Sequence, residues 1–208
     1  MWEARTANYH LLIGCEPEPL SPRNWDNLGT MTCWHRRYDL GDKHNYSDPE
    51  EFFDYLRETY GRDWSNKLLI LSLSLLDHSG LHIYVGPPRD PWDNGQVGWI
   101  WATLDNLRRE LPNNKGETAE EWRQRAIEYL TYEVETYDRY LRGEVYYFEL
   151  NKTRLCEACG KMESESVETC GDIHTDGTLA HEYILDNYIG KFVDEDTLNQ
   201  LKMNLHSV

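Results

Sequence analysis

The clearest structural signal in the sequence is a long amphipathic pattern over residues 117–141. Apolar side chains recur every three or four positions along it, at Trp122, Ala126, Leu130, Val134, Tyr137 and Leu141, and Gly143 ends the pattern. This spacing places the apolar side chains on one face of an α-helix, and glycine is common just beyond a helix end. We therefore predict a long helix whose apolar stripe packs on a sheet.

A second pattern predicts the sheet. Residues 71–75 alternate leucine with serine, which is the period of a strand with one buried face. The turn residues 77–80 and the apolar run 81–85 then predict an antiparallel partner strand. Further strands are expected at residues 9–13, 28–35, 97–102 and 145–150, and further helices near 47–60, 103–111 and 178–188. The predicted fold class is α+β, a mainly antiparallel sheet packed by a long helix.

The domain organisation follows from length and composition. A chain of 208 residues is longer than a typical single domain and short for two. We expect an α+β core domain over residues 1–150, a C-terminal Cys-rich hairpin appendage over residues 151–177, and a helical segment over residues 178–208 that packs on the core.

The charge of the chain restricts its partners. Asp and Glu number 37 against 21 Lys and Arg, which gives a net charge of −16. This charge repels nucleic-acid phosphates, so we expect no direct nucleic-acid binding. It suits a protein that docks on basic surfaces of nucleic-acid-binding proteins by imitating phosphate, although most acidic proteins are acidic only for solubility.

Targeting and redox signals are weak. The first ten residues lack a basic segment followed by an apolar run, and Ser72 and Ser74 interrupt the longest apolar stretch. Neither a signal peptide nor a membrane span is predicted. Five cysteines, two of them far from the other three, suggest no disulfide framework. These features predict a cytoplasmic protein with no membrane association.

The cysteines near the C-terminus predict a zinc site. Cys156 and Cys159 lie two residues apart before Gly160, a spacing that lets two sulfur atoms reach one tetrahedral metal ion. Cys170 and His174 complete a Cys₃His set for a structural Zn²⁺. The alternative is three thiols and a histidine without a metal, with Cys170 as a core residue.

A second set of candidates is dispersed over loops. His35, Asp77, His78 and Asp93 are imidazoles and carboxylates near predicted strand ends, where they could bind a divalent metal or act as acid and base. Other polar residues near them are Asp26, Asp39, Asp42 and Gln96. The alternative for the aspartates is turn formation, and for the histidines a hydrogen bond to a backbone carbonyl.

Tryptophans cluster in the same region of the sequence. Trp92, Trp99 and Trp101 lie within ten residues of one another and could form a binding surface. Because alternate residues of a strand share a face, Trp99 and Trp101 are better interpreted as one layer of a core.

Several longer motifs resemble a family of phage and prophage hypothetical proteins. The motifs are WDNLGTM at 25–31, CWHRRY at 33–38, LGD at 40–42, DHSG at 77–80, PWDNGQVG at 91–98 and EVETYD at 133–138. The resemblance extends to about residue 147. It implies a bacteriophage origin and action inside an infected bacterium, and it supplies no reaction.

Three functional hypotheses follow. The first is a phage-encoded accessory protein that binds and inhibits a host or defence-system protein, such as an anti-CRISPR or anti-restriction protein. The second is a small metal-dependent hydrolase of a nucleotide or nucleic acid that uses the His35, Asp77, His78 and Asp93 set. A structural or regulatory phage protein is a third possibility. We favour the first because no recognised catalytic motif connects the candidate residues.

Overall fold

The computed structural model of the chain describes residues 1–78, 80–89 and 94–208. In chain order, its strands are β1 (Trp2–Arg5), β2 (Tyr9–Cys15), β3 (Thr30–Cys33), β4 (Leu68–Asp77), β5 (Leu81–Val85), β6 (Asn94–Thr103), β7 (Val145–Leu155), β8 (Met162–His174) and β9 (His206–Ser207). Its α-helices are α1 (Pro49–Tyr60), α2 (Leu104–Glu110), α3 (Ala119–Leu141), α4 (Ala180–Asn187) and α5 (Glu195–Asn204).

The chain divides into two compact units. The terminal unit joins Met1–Leu20 to Gly143–Val208, and the central unit is Ser21–Arg142. Each unit contains its own antiparallel sheet, where the sequence analysis expected one sheet. Strand β7 runs across position 150, at which the sequence analysis ended its core domain.

The sheet of the terminal unit has the strand order β8-β7-β2-β1-β9. Its centre is the pairing of β2 with β7, which sets Leu11 opposite Leu150 and Ile13 opposite Phe148. These four side chains are fully buried and pack with the apolar residues of α4 and α5. Burial of large apolar side chains is the main stabilising contribution to such a unit.

The sheet of the central unit has the strand order β3-β6-β4-β5 and is covered on both faces. Helix α3 covers one face. Helix α1 covers the other, where the ring of Phe52 lies 6.1 Å from that of Trp99 and 5.9 Å from that of Trp101. Trp99 and Trp101 therefore share one face of β6 and pack in a core layer, as the alternation predicts.

Helix α3 confirms the long amphipathic pattern, and the α+β class is confirmed with it. Thr118 and Glu121 form a capping box at its start, in which each side chain accepts a backbone N–H of the other. Five of the six residues of the predicted stripe are buried, including Trp122, Leu130 and Val134, and Leu141 is partly buried. Among the described residues, no helix is long and apolar enough to cross a membrane.

Strands β1 and β9 were not predicted, and β8 and α5 lie in the predicted hairpin and helical segment without bounds of their own. Residues 162–167 are exposed on both faces of β8, so the strand shows no alternation of apolar and polar residues. Strand β9 has two residues, and only Leu201 of α5 is buried. Hydrophobic periodicity cannot detect elements that bury so few apolar side chains.

Replacing Leu130 with alanine tests the phase of α3. Leu130 is fully buried in the central core, so we expect Leu130→Ala to lower the free energy of unfolding by about 2 to 5 kcal/mol. Chemical denaturation measures this change. Glu135→Ala on the exposed side of the same helix is the matched control and should change stability by less than about 0.5 kcal/mol. Equal effects of the two substitutions would show that the phase is wrong.

Candidate functional site

His35 and Asp77 have partners of their own in the central unit. Asp77, the last residue of β4, forms an ion pair with Arg37. The ring of His35 stacks on Tyr38 at 5.0 Å between centroids, and its Nδ1 accepts the N–H of Arg37 at 3.3 Å. Arg37 thus connects Asp77 with the loop that carries His35. His78 is exposed beside Asp77.

Asp93 lies outside the described residues, so the complete set of four is not placed. Residues 33–36 and 38–45 line an open cleft of about 740 Å³, with His35, Asp39 and Asp42 among the lining residues. Within the described part of the chain, no group of three or more His, Cys, Asp or Glu side chains could hold a metal ion. The hydrolase therefore stays a prediction from sequence.

Asp42, one of the loop candidates, belongs to a buried ion network. The Arg23 guanidinium donates to both carboxylate oxygens of Asp42, at 2.9 and 2.7 Å, and to the carbonyl of Gly29 at 2.6 Å. A second carboxylate, that of Glu133 on α3, lies 3.5 Å from the guanidinium. Only 5% of the Arg23 side chain is exposed. The residue is thus neutralised inside the unit by two acidic groups.

Both carboxylates also hold the backbone of the first motif. Glu133 accepts the N–H of Leu28 at 2.8 Å and that of Gly29 at 3.1 Å, and Asp42 accepts the N–H of Met31 at 2.8 Å. Burial raises the pKa of Glu133, and these N–H groups together with Arg23 partly offset the increase. Glu133 and Asp42 therefore stabilise the conformation of the loop at residues 28–31.

A further buried carboxylate was missed by sequence reasoning. Asp138 on α3 accepts the His82 Nδ1 and the Ile83 N–H, both at 2.8 Å, and the Arg142 Nε at 3.0 Å. These bonds fix α3 to β5. A signal for Asp138 was present, since it lies four residues after Val134 and so on the buried face of the helix.

The hairpin of β7 and β8 brings two of the predicted zinc ligands together. Cys156 and Cys159 lie in its turn, where the Cys156 sulfur is hydrogen-bonded by the Cys159 thiol and by the N–H groups of Cys159 and Ala158. These bonds lower the pKa of the Cys156 thiol, whereas a hydrogen bond with Glu163 raises it in part. The two sulfur atoms are therefore neighbours, and one of them has increased thiolate character.

The other two predicted ligands lie elsewhere on β8. Cys170 pairs with Phe148, and His174 pairs with Val145 near the opposite end of the hairpin. Eight residues separate Cys170 from Met162, which adjoins the turn, and an extended strand of that length spans about 26 Å. A zinc ion at the turn would need ligands other than Cys170 and His174, because zinc–sulfur bonds are about 2.3 Å long.

The hairpin also presents an open strand edge. Strand β8 is at the edge of its sheet, and no strand among the described residues pairs with its outer side. Pairing of β2 with β7 ends at Tyr9 opposite Lys152, so the hairpin continues beyond this point as a two-stranded ribbon. Glu163 and Glu165 are exposed on the ribbon. This edge is acidic and accessible.

The hydrogen bonds of β7 show which groups of β8 face the open side. Thr153 donates its N–H to Asn8 at 2.7 Å, on the side away from β8. Thr153 and its partner Ser164 therefore form a non-hydrogen-bonded pair. The N–H and C=O of Ser164 consequently point away from β7, towards the open edge.

Comparison with known proteins finds no matching family model, no similar curated protein and no similar solved structure.

Asp42→Asn tests whether Asp42 is structural. The change removes the negative charge that Asp42 places beside the buried Arg23, so we expect the free energy of unfolding to fall by about 3 kcal/mol. Thermal and chemical denaturation measure it. Asp39→Asn in the same cleft is the control, because Asp39 is exposed and the change should be nearly neutral. A stable Asp42→Asn protein would contradict the structural role.

Alkylation of the thiols tests the geometry of the turn. Hydrogen bonds lower the pKa of Cys156, while burial raises that of Cys170 and raises that of Cys33 to about 12. Because the thiolate is the nucleophile, iodoacetamide near neutral pH should modify Cys156 before Cys170, and Cys33 last. Peptide mass spectrometry over a time course gives the order. Denatured protein is the control, in which the order should disappear.

Proposed function

We propose that the protein is a phage-encoded accessory protein that binds and inhibits a host or defence-system protein in the cytoplasm of the infected bacterium. The observation that carries the proposal is the open, acidic edge of β8. The resemblance to phage proteins supports the setting, and the net charge of −16 supports the kind of partner.

An open strand edge binds proteins through main-chain hydrogen bonds. An extended segment of a partner can add to β8 as a further strand, with the N–H and C=O of Ser164 among the groups it meets. Natural proteins usually cover or shorten such edges, because exposed edges also pair non-specifically. The length of β8, 13 residues, is thus better explained by a binding role than by the needs of the sheet.

The carboxylates of the ribbon select the partner. Glu163 pairs with Arg154 at 2.7 Å, so the exposed carboxylate of Glu165 is the group that repels acidic segments and favours a basic one, which matches the nucleic-acid-binding surfaces of restriction and CRISPR proteins. Attraction between opposite charges also increases the rate of encounter. Occupation of such a basic surface would compete with nucleic acid and so inhibit the partner.

Two substitutions on β8 test this function after a partner has been captured from the infected host and purified. Ser164→Pro removes an N–H that faces the open edge and leaves the β7 ladder intact, so binding should weaken at least about tenfold. Glu165→Lys should slow association, and the effect should shrink as salt rises. Surface plasmon resonance measures both.

Glu58→Lys is the matched control, since it makes the same charge change at an exposed position of α1. It should leave the affinity for the partner nearly unchanged. Circular dichroism confirms that each variant is folded. Full affinity of folded Ser164→Pro, or equal effects of the two lysine variants, would show that the β8 edge is not the binding surface.

A further inference from the structure

The turn between β7 and β8 has the conformation of a metal-binding knuckle. The Cys156 N–H donates to the Lys161 carbonyl and the Gly160 N–H to the Cys156 carbonyl, each at 2.8 Å. Gly160 has a φ of +68°, a conformation that glycine adopts without strain. In such a turn, the spacing Cys156-Glu157-Ala158-Cys159-Gly160 lets both sulfur atoms reach one tetrahedral metal ion.

One chain supplies only half of a structural zinc site. Zinc takes four ligands in tetrahedral geometry, and the turn provides two sulfur atoms. In the described residues no third His, Cys, Asp or Glu completes a group with them. Cys15 also lies away from the turn, because it pairs with Tyr146 near the start of β7. A zinc ion bound by these two sulfur atoms would complete its tetrahedral geometry with ligands from outside the pair.

The surroundings of the turn point to a second copy of the chain. Leu155 and Met162 pair with each other directly before and after the turn, and they are 62% and 61% exposed. Exposed apolar pairs of this kind are buried when a partner covers them. The ribbon beyond Lys152 has left the sheet, so its tip can meet an identical tip. A two-fold axis through the metal would then supply four sulfur ligands.

We propose that Cys156 and Cys159 of two copies bind one zinc ion between them, so that the metal joins two chains at their hairpin tips. Each thiol gives up its proton when it binds, and no oxidant or reductant is needed. Leu155 and Met162 of both copies bury one another around the metal. Lys161 in the turn offsets part of the repulsion between two acidic chains, whereas Arg154 pairs with Glu163 of its own chain.

Sedimentation velocity and elemental analysis of the full chain test the proposal. Protein loaded with zinc under reducing conditions should be a dimer with one zinc per two chains, and a chelator should return it to a monomer. Substitution of Co²⁺ should give the absorption spectrum of a tetrahedral four-thiolate site. The Cys156→Ser/Cys159→Ser variant should remain monomeric and bind no zinc at this site.

Cys15→Ser is the control, because it removes an exposed cysteine outside the hairpin and should keep both the metal and the dimer. One zinc per monomeric chain, a dimer that persists without metal, or zinc-dependent dimerisation of the double variant would overturn the proposal. The proposal is independent of strand addition at β8, because Ser164→Pro leaves both cysteines in place.

Discussion

The buried guanidinium of Arg23 is the group on which the loops of the central unit depend. Transferring such a charge out of water costs several kcal/mol unless it is paired and hydrogen-bonded. Asp42 accepts two hydrogen bonds from the guanidinium, the Gly29 carbonyl accepts a third, and Glu133 provides a second negative charge. Because both carboxylates also accept backbone N–H groups of residues 28–31, any rearrangement of this loop would leave several buried groups unpaired. The network therefore selects one loop conformation and connects it to α3.

Helix α3 packs on the sheet of the central unit and is also hydrogen-bonded to a loop and a strand, and its sequence indicates both. Its apolar stripe buries the sheet, while Glu133 and Asp138 bond a loop and a strand to it. Glu133 lies three residues after Leu130 and Asp138 four residues after Val134, so both acids are on the buried face. An acidic residue on a buried face needs donors to compensate its desolvation. The positions of Glu133 and Asp138 thus indicate hydrogen bonds between α3 and its neighbours.

Local periodicity predicted the elements whose apolar residues repeat at a fixed interval, and this explains both the successes and the omissions. Helix α3 and strands β4 to β6 repeat apolar residues at a fixed period, so they were predictable. The pairing of β2 with β7 depends on residues from opposite ends of the chain, which no local pattern reports. The predicted zinc ligands combine Cys156 and Cys159 of the turn with Cys170 and His174 of the extended strand β8. Residue spacing is a poor measure of distance in an extended strand, because each residue adds about 3.3 Å.

The projecting hairpin separates two kinds of interaction by geometry. Hydrogen bonds from the edge of β8 run in the plane of the sheet, across the strand at Ser164. The sulfur atoms of the turn lie at the tip, beyond Leu155 and Met162. A partner strand and a second tip would therefore occupy different sides of the ribbon. Two chains joined at the tips would present two open β8 edges in one assembly. When the partner has two accessible segments, binding of the first would place the second at a high effective concentration near the other edge. Such an assembly would favour oligomeric partners over single chains.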